Sequence, residues 1–193
     1  MVKKILSLGG IDMRWILKLS DILDESADAL ICSANVNLML SGGVGAELLA
    51  RYGVAMQDEL QQRLQTRSPR CAAQGDVIPY TGREVPYRVV LHAVAIDGWY
   101  ESSPQIITGV TRRALEMAAF HGARKVALTA LATGFGRLTF AEFAQGLRPL
   151  LQIAVPPIEE IVICLLLEFE VAELARHLPE IECIPPLTKA QPY

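Results

Sequence analysis

Apolar positions along the chain alternate between two periods, and the alternation predicts strands and helices in turn. Trp15 to Leu19 predicts a short strand, and the unbroken run Ala29 to Ser33 a second, buried one. From Val44 to Tyr52, Val44, Leu48 and Leu49 recur at helical spacing, and Gly53 stands where a helix would stop. Gln57 to Leu64 is amphipathic and continues that helical segment. Asp76 to Pro79 and Arg88 to Val94 predict two further strands, joined by a turn at Thr81 to Pro86. Ser103 and Pro104 suit the cap and first turn of a long helix running through Ala119, which Gly122 ends. Lys125 to Leu131 reads as a strand, Thr133 to Leu138 as a loop, and Thr139 to about Leu151 as a helix. After a break at Pro156 and Pro157 come a core strand, Ile161 to Leu167, and a last helix, Val171 to Leu178.

Strands that are apolar on both faces, alternating with helices, predict an α/β fold in three layers, helices covering both sides of a mixed sheet. One domain over residues 1–183 is expected, followed by an extended tail from Ile184 to Tyr193 that carries three prolines.

Composition narrows the function. With 51% hydrophobic and 20% charged residues in 193, the chain can bury a core and does not read as disordered. The net charge is -3 and no Lys/Arg block occurs, which argues against electrostatic capture of nucleic acid. An anionic ligand would therefore have to be held by local donors. The apolar run Ile161 to Leu167 is far short of the roughly 20 residues that cross a bilayer. Lys3 and Lys4 precede no apolar stretch with a small-residue cleavage site, so a soluble, cytoplasmic protein without membrane contact is expected. Cys32, Cys71, Cys164 and Cys183 form no C-x-x-C pair; reduced, buried thiols are expected, with no metal site.

In open α/β sheets, ligands bind where strands hand over to helices. Two such loops have unusual composition. Asn35 to Gly45 follows a buried strand, and its glycines let backbone N–H groups near a helix start approach a phosphate. Thr133-Gly134-Phe135-Gly136 follows another strand and could clamp a diphosphate from the other side. Either loop alone could be only a tight turn. Neither matches G-x-x-x-x-G-K-[ST] or the dinucleotide fingerprint.

The order of motifs resembles the macro domain family. Ser20-Asp21-Ile22 is similar to its early Gly-Asp-Ile turn, Cys32-Ser33-Ala34-Asn35 to its Asn-Ala-Ala-Asn, and Ser41-Gly42-Gly43-Val44 to its Gly-Gly-Gly-Val loop. Gly75 to Pro79 and Val89 to Val94 look like its middle strands, and Ala130 to Gly136 like its Ser-Thr-Gly loop. The resemblance runs from about Leu19 to Leu178 and implies binding of ADP-ribose, free or attached to a protein, with no further cofactor. It implies that Asp21 accepts from the adenine amine, supported by the Ile22 backbone, and that Asn35 bonds the distal ribose. Ser41, Gly42, Gly43, Val44 and Gly45 would hold the diphosphate with Thr133, Gly134, Phe135 and Gly136. Phe169 could line the adenine pocket. Asp21 and Asn35 could also be ordinary turn residues, Phe135 and Phe169 packing residues, and His92 a core histidine.

Departures from the pattern bear on catalysis. The hydrolytic branch of the family carries an Asp where Gly45 stands, and glycine cannot serve as a base. Cys32 replaces the first Asn, and the second loop is one residue shorter. A binding module is therefore expected. The alternative is hydrolysis of an ADP-ribosyl ester or of O-acetyl-ADP-ribose, with Glu47 or Asp97 as conceivable bases.

Overall fold

A computed structural model describes residues 13–184. Seven strands form one sheet: β1 (Arg14–Leu19), β2 (Ala29–Ala34), β3 (Val77–Tyr80), β4 (Val89–Val94), β5 (Lys125–Thr129), β6 (Glu160–Leu165) and β7 (Glu182–Ile184). They lie in the order β3-β4-β2-β5-β6-β1-β7, all parallel to their neighbours except β3, which runs antiparallel to β4. The helices are α1 (Gly43–Tyr52), α2 (Ala55–Gln65), α3 (Pro104–Phe120), α4 (Phe140–Leu147) and α5 (Glu168–His177). Short 3-10 turns occupy Ile22–Asp24 and Arg148–Gln152.

Successive residues of a strand face opposite sides, so each central strand feeds two cores. Leu30 and Cys32 of β2 join Leu48 of α1 and Met56, Leu60 and Leu64 of α2 on one face. Ala29 and Ile31 join Ile107, Val110 and Leu115 of α3 and Phe143 of α4 on the other. The result is three layers with a mixed sheet between.

The departures from the predicted elements have local causes. β6 stops at Leu165, where its pairing with Leu19 of β1 ends, so Leu166 and Leu167 are exposed. β5 likewise ends at Thr129, short of Leu131. Pro149 supplies no N–H for a further α-turn, and the helix after Thr139 tightens to 3-10 beyond Leu147. α1 and α2 are separate helices because Gly53 takes φ 81°. α5 begins at Glu168, whose charge, with that of Glu170, suits a helix N-terminus. Ile184 belongs to β7 and not to the tail; the remainder of that tail lies outside the described residues. Cys32 and Cys164 are buried, but Cys71 is partly exposed and Cys183 exposed, contrary to expectation. Among the described residues no helix is long and apolar enough to cross a membrane.

Glu25, between β1 and β2, is a buried acid that the hydrophobic pattern does not announce. Its carboxylate accepts from Lys18 Nζ at 2.6 Å and Lys125 Nζ at 2.8 Å. Burial pushes its pKa up, but the hydrogen bonds from Lys125 and Lys18 outweigh this and leave it below the ordinary value. Replacing Glu25 with Ala leaves Lys18, about a third exposed, without its carboxylate and Lys125 with Glu160 alone at 3.1 Å, and should cost about 2 kcal/mol. Urea unfolding at neutral pH measures this; a change within 0.5 kcal/mol, roughly that of a neutral surface substitution, would refute it.

Candidate functional site

The connections of the sheet diverge at one point, where α/β sheets have their crevice. β2 leads through α1, α2 and β3 to β4, on one side of it, whereas β5 leads through α4 to β6, on the other. β2 and β5 are adjacent and parallel, so their loops diverge at the shared carboxyl edge, the switch point where α/β sheets take ligands. The two glycine-bearing loops lie at this crevice.

They meet there. The ring of Phe135 lies over Gly42, so close that a Cβ on Gly42 would stand 2.7 Å from the ring. Ala132 N donates to Ser33 Oγ at 3.4 Å, tying the second loop to the end of β2. Gly42 caps α1 with no side-chain acceptor, so the first-turn N–H groups of Gly43 and Val44 are not turned onto a cap as those of α3 and α4 are by Ser103 and Thr139. Gly43 takes φ 53°, a conformation that excludes most side chains at little cost to glycine. Gly45 is buried, and a Cβ on it would come within 3.1 Å of Leu40 Cα. Gly136 closes the second loop: a Cβ there would lie 2.8 Å from the Ala132 carbonyl carbon and closer still to its oxygen. Around Gly134 the space is open.

Backbone strain gathers at the same edge. Leu38, Tyr100 and Ala132 are the non-glycine residues with positive φ among those described, at 49°, 65° and 64°. They belong to the loops after β2, β4 and β5. Such conformations cost about 1–3 kcal/mol each and persist only where the surroundings hold them, most often at functional sites. Exposed aromatic side chains are found on the same edge: Trp99 and Tyr100 after β4, Phe135 after β5 and Phe169 after β6.

Asp21 stands beyond the end of β1, on the same edge. Its Oδ1 accepts from Leu23 N at 2.9 Å, capping the 3-10 turn, and its Oδ2 accepts from Arg51 at 2.5 Å. The turn role is thus real, yet a carboxylate has about four lone-pair positions and two are taken. Ile22 is buried beneath it. Asn35 also organises its own loop, since its Oδ1 accepts from Asn37 N and Met39 N while its Nδ2 donates to the Met39 carbonyl. One amide hydrogen is left. Ser41 is exposed at the loop's end.

The candidate bases differ from one another. Asp97 accepts from Trp99 N and Glu101 N at 2.8 and 2.9 Å, so its carboxylate shapes the loop after β4. Glu47 is on the exposed side of α1. His92 is fully buried, as read from the sequence. Arg51 and the strained Tyr100 and Ala132 carry no mark in the sequence, because their roles depend on partners brought near only by folding.

Comparison with known proteins agrees with this fold. An uncharacterized protein of Mycobacterium tuberculosis is 32% identical over 117 residues, covering 61% of this chain and 31% of that protein. The chain thus spans about a third of that relative's length. A macro domain-containing protein of Streptomyces nogalater is 30% identical over 126 residues, 65% of this chain and 70% of its own. A glycine-to-valine variant of the Oceanobacillus iheyensis macrodomain, solved with ADPR, superposes with TM-score 0.77 at 18% identity, covering 89% of this chain and 96% of its own. The family model for the macro domain matches residues 31–147, from β2 to the end of α4. The chain belongs to the macro domain family.

Proposed function

We propose that the chain binds ADP-ribose, free or as mono-ADP-ribose on a protein, across the crevice between the β2 and β5 loops. The observation that carries this is the convergence of two glycine loops at the switch point, one opening a helix with uncapped N–H groups. A diphosphate takes its donors from Gly43 to Gly45 and from the Thr133 to Gly136 backbone. The adenine reaches Asp21 and Ile22, and the distal ribose reaches Asn35. The ADPR-bound Oceanobacillus macrodomain, alike in fold, supports the same choice of ligand. Gly45 offers no side chain to orient a water, so the cradle holds its ligand without cleaving it.

Calorimetric titration with ADP-ribose tests the assignment. Saturable binding is expected, and no detectable heat at millimolar ligand would overturn it. Asp21→Ala should weaken binding by about 1–3 kcal/mol, the cost of a lost charge-assisted hydrogen bond. Unchanged affinity in that variant would show that the adenine amine is not bound by Asp21.

A further inference from the structure

We infer that Arg51 is a positioning residue for base recognition, holding Asp21 so that the site discriminates an adenine amine from a carbonyl. The inference rests on the proposed ADP-ribose site and extends it. The guanidinium of Arg51 straddles two carboxylates: Nη2 donates to Asp21 Oδ2 at 2.5 Å and Nη1 to Asp24 Oδ1 at 2.6 Å. A basic residue in the last turn of α1 would suit the helix dipole in any orientation. The forked geometry is more demanding, since it needs both acids of the 3-10 turn at once.

Its consequence is mechanical. Leu23 N alone would hold Asp21 by one oxygen and leave the carboxylate free to rotate about that bond. The second tie, from Arg51, fixes the plane of the group, so each oxygen keeps a lone pair in a set direction. Asp24 anchors the other arm of the fork, and Tyr87 Oη donates to the Leu23 carbonyl at 3.5 Å from beneath. Arg51 belongs to α1, whose first residues form the phosphate cradle. At about 1.5 Å per residue its ten residues span about 15 Å, so a single rigid rod sets the spacing between the base and the diphosphate of the ligand.

An oriented carboxylate accepts from an amine and repels a carbonyl. Wild-type protein should therefore prefer ADP-ribose to inosine diphosphate ribose, whose base carries a carbonyl where adenine carries its amine. Arg51→Gln should weaken ADP-ribose about tenfold, the equivalent of one hydrogen bond, and change the inosine form little, so that the preference collapses. Arg51→Lys, which keeps a charge beside Asp21 but cannot bridge both acids, should restore part of it and serves as the deciding variant should the glutamine protein fail to fold. Equal losses for both ligands would make Arg51 merely structural and overturn the inference. A wild-type protein that binds neither ligand would instead overturn the ADP-ribose assignment itself.

Discussion

Two glycines of one loop should respond in opposite ways: Gly136→Ala is expected to destabilise the protein, whereas Gly134→Val leaves it stable and weakens ADP-ribose binding. At Gly136 the added carbon meets the Ala132 carbonyl, carbon at 2.8 Å and oxygen nearer. Both are backbone, so no side-chain rotation relieves the contact and the loop itself must move. Leu138 N also donates to that same carbonyl at 3.2 Å, and moving it strains the start of α4. Overpacking of this kind costs about 3 kcal/mol, which for a chain of this size lowers the thermal midpoint by about 6–12 °C. Gly134 has nothing within 4 Å, and its φ lies outside the left-handed region, so the fold tolerates a side chain there. If the loop receives a diphosphate, the valine occupies that space and affinity falls about tenfold, the lower end of the overpacking range. Thermal melts and calorimetry on both variants check this. Equal stability of the two proteins, or unchanged affinity in Gly134→Val, would refute the corresponding half.

Much of the fold is legible in the sequence. β2 and β4 read as buried strands because helices cover both their faces, which leaves no polar alternation to blur the run. The two glycine loops stand out by composition, and the structure gives two of their glycines a steric reason: Gly42 lies under the Phe135 ring and Gly136 against the Ala132 carbonyl. Other features had no local signal. Arg51 looks like any exposed helical arginine until Asp21, 30 residues earlier, is brought beside it. Leu38, Tyr100 and Ala132 hold positive φ although nothing in their side chains favours it, so tertiary contacts impose it. Glu25 reads as a solvated loop acid, and only the approach of Lys18 and Lys125 makes its burial tolerable. β7 has three exposed residues, too few for a period to emerge.

The other large effect concerns acid stability and a residue outside the crevice. His92 is completely buried on β4, 3.5 Å by Nδ1 from Cys32 Sγ, and its Nε2 has no hydrogen-bond partner among the described residues. Burial, with a smaller contribution from the charge of Arg63, pushes its pKa down from the ordinary 6.5 to about 4. The unfolded chain therefore takes up a proton near pH 6.5 that the folded protein refuses. Stability from this source is complete above pH 6.5 and drains away as pH falls toward 4, amounting to a loss on the order of 3 kcal/mol. Glu25, Asp28 and Asp76 all titrate below their ordinary carboxylate values, so their contributions are lost only at lower pH. The interval from pH 6.5 to 4.5 thus separates the histidine from these acids. Urea unfolding across it should show wild-type stability declining with pH, and His92→Leu, which keeps an apolar side chain in the same core, should flatten the decline. A wild-type protein equally stable at pH 7 and pH 5 would mean that His92 accepts its proton in place, with a cation harboured between β4 and α2.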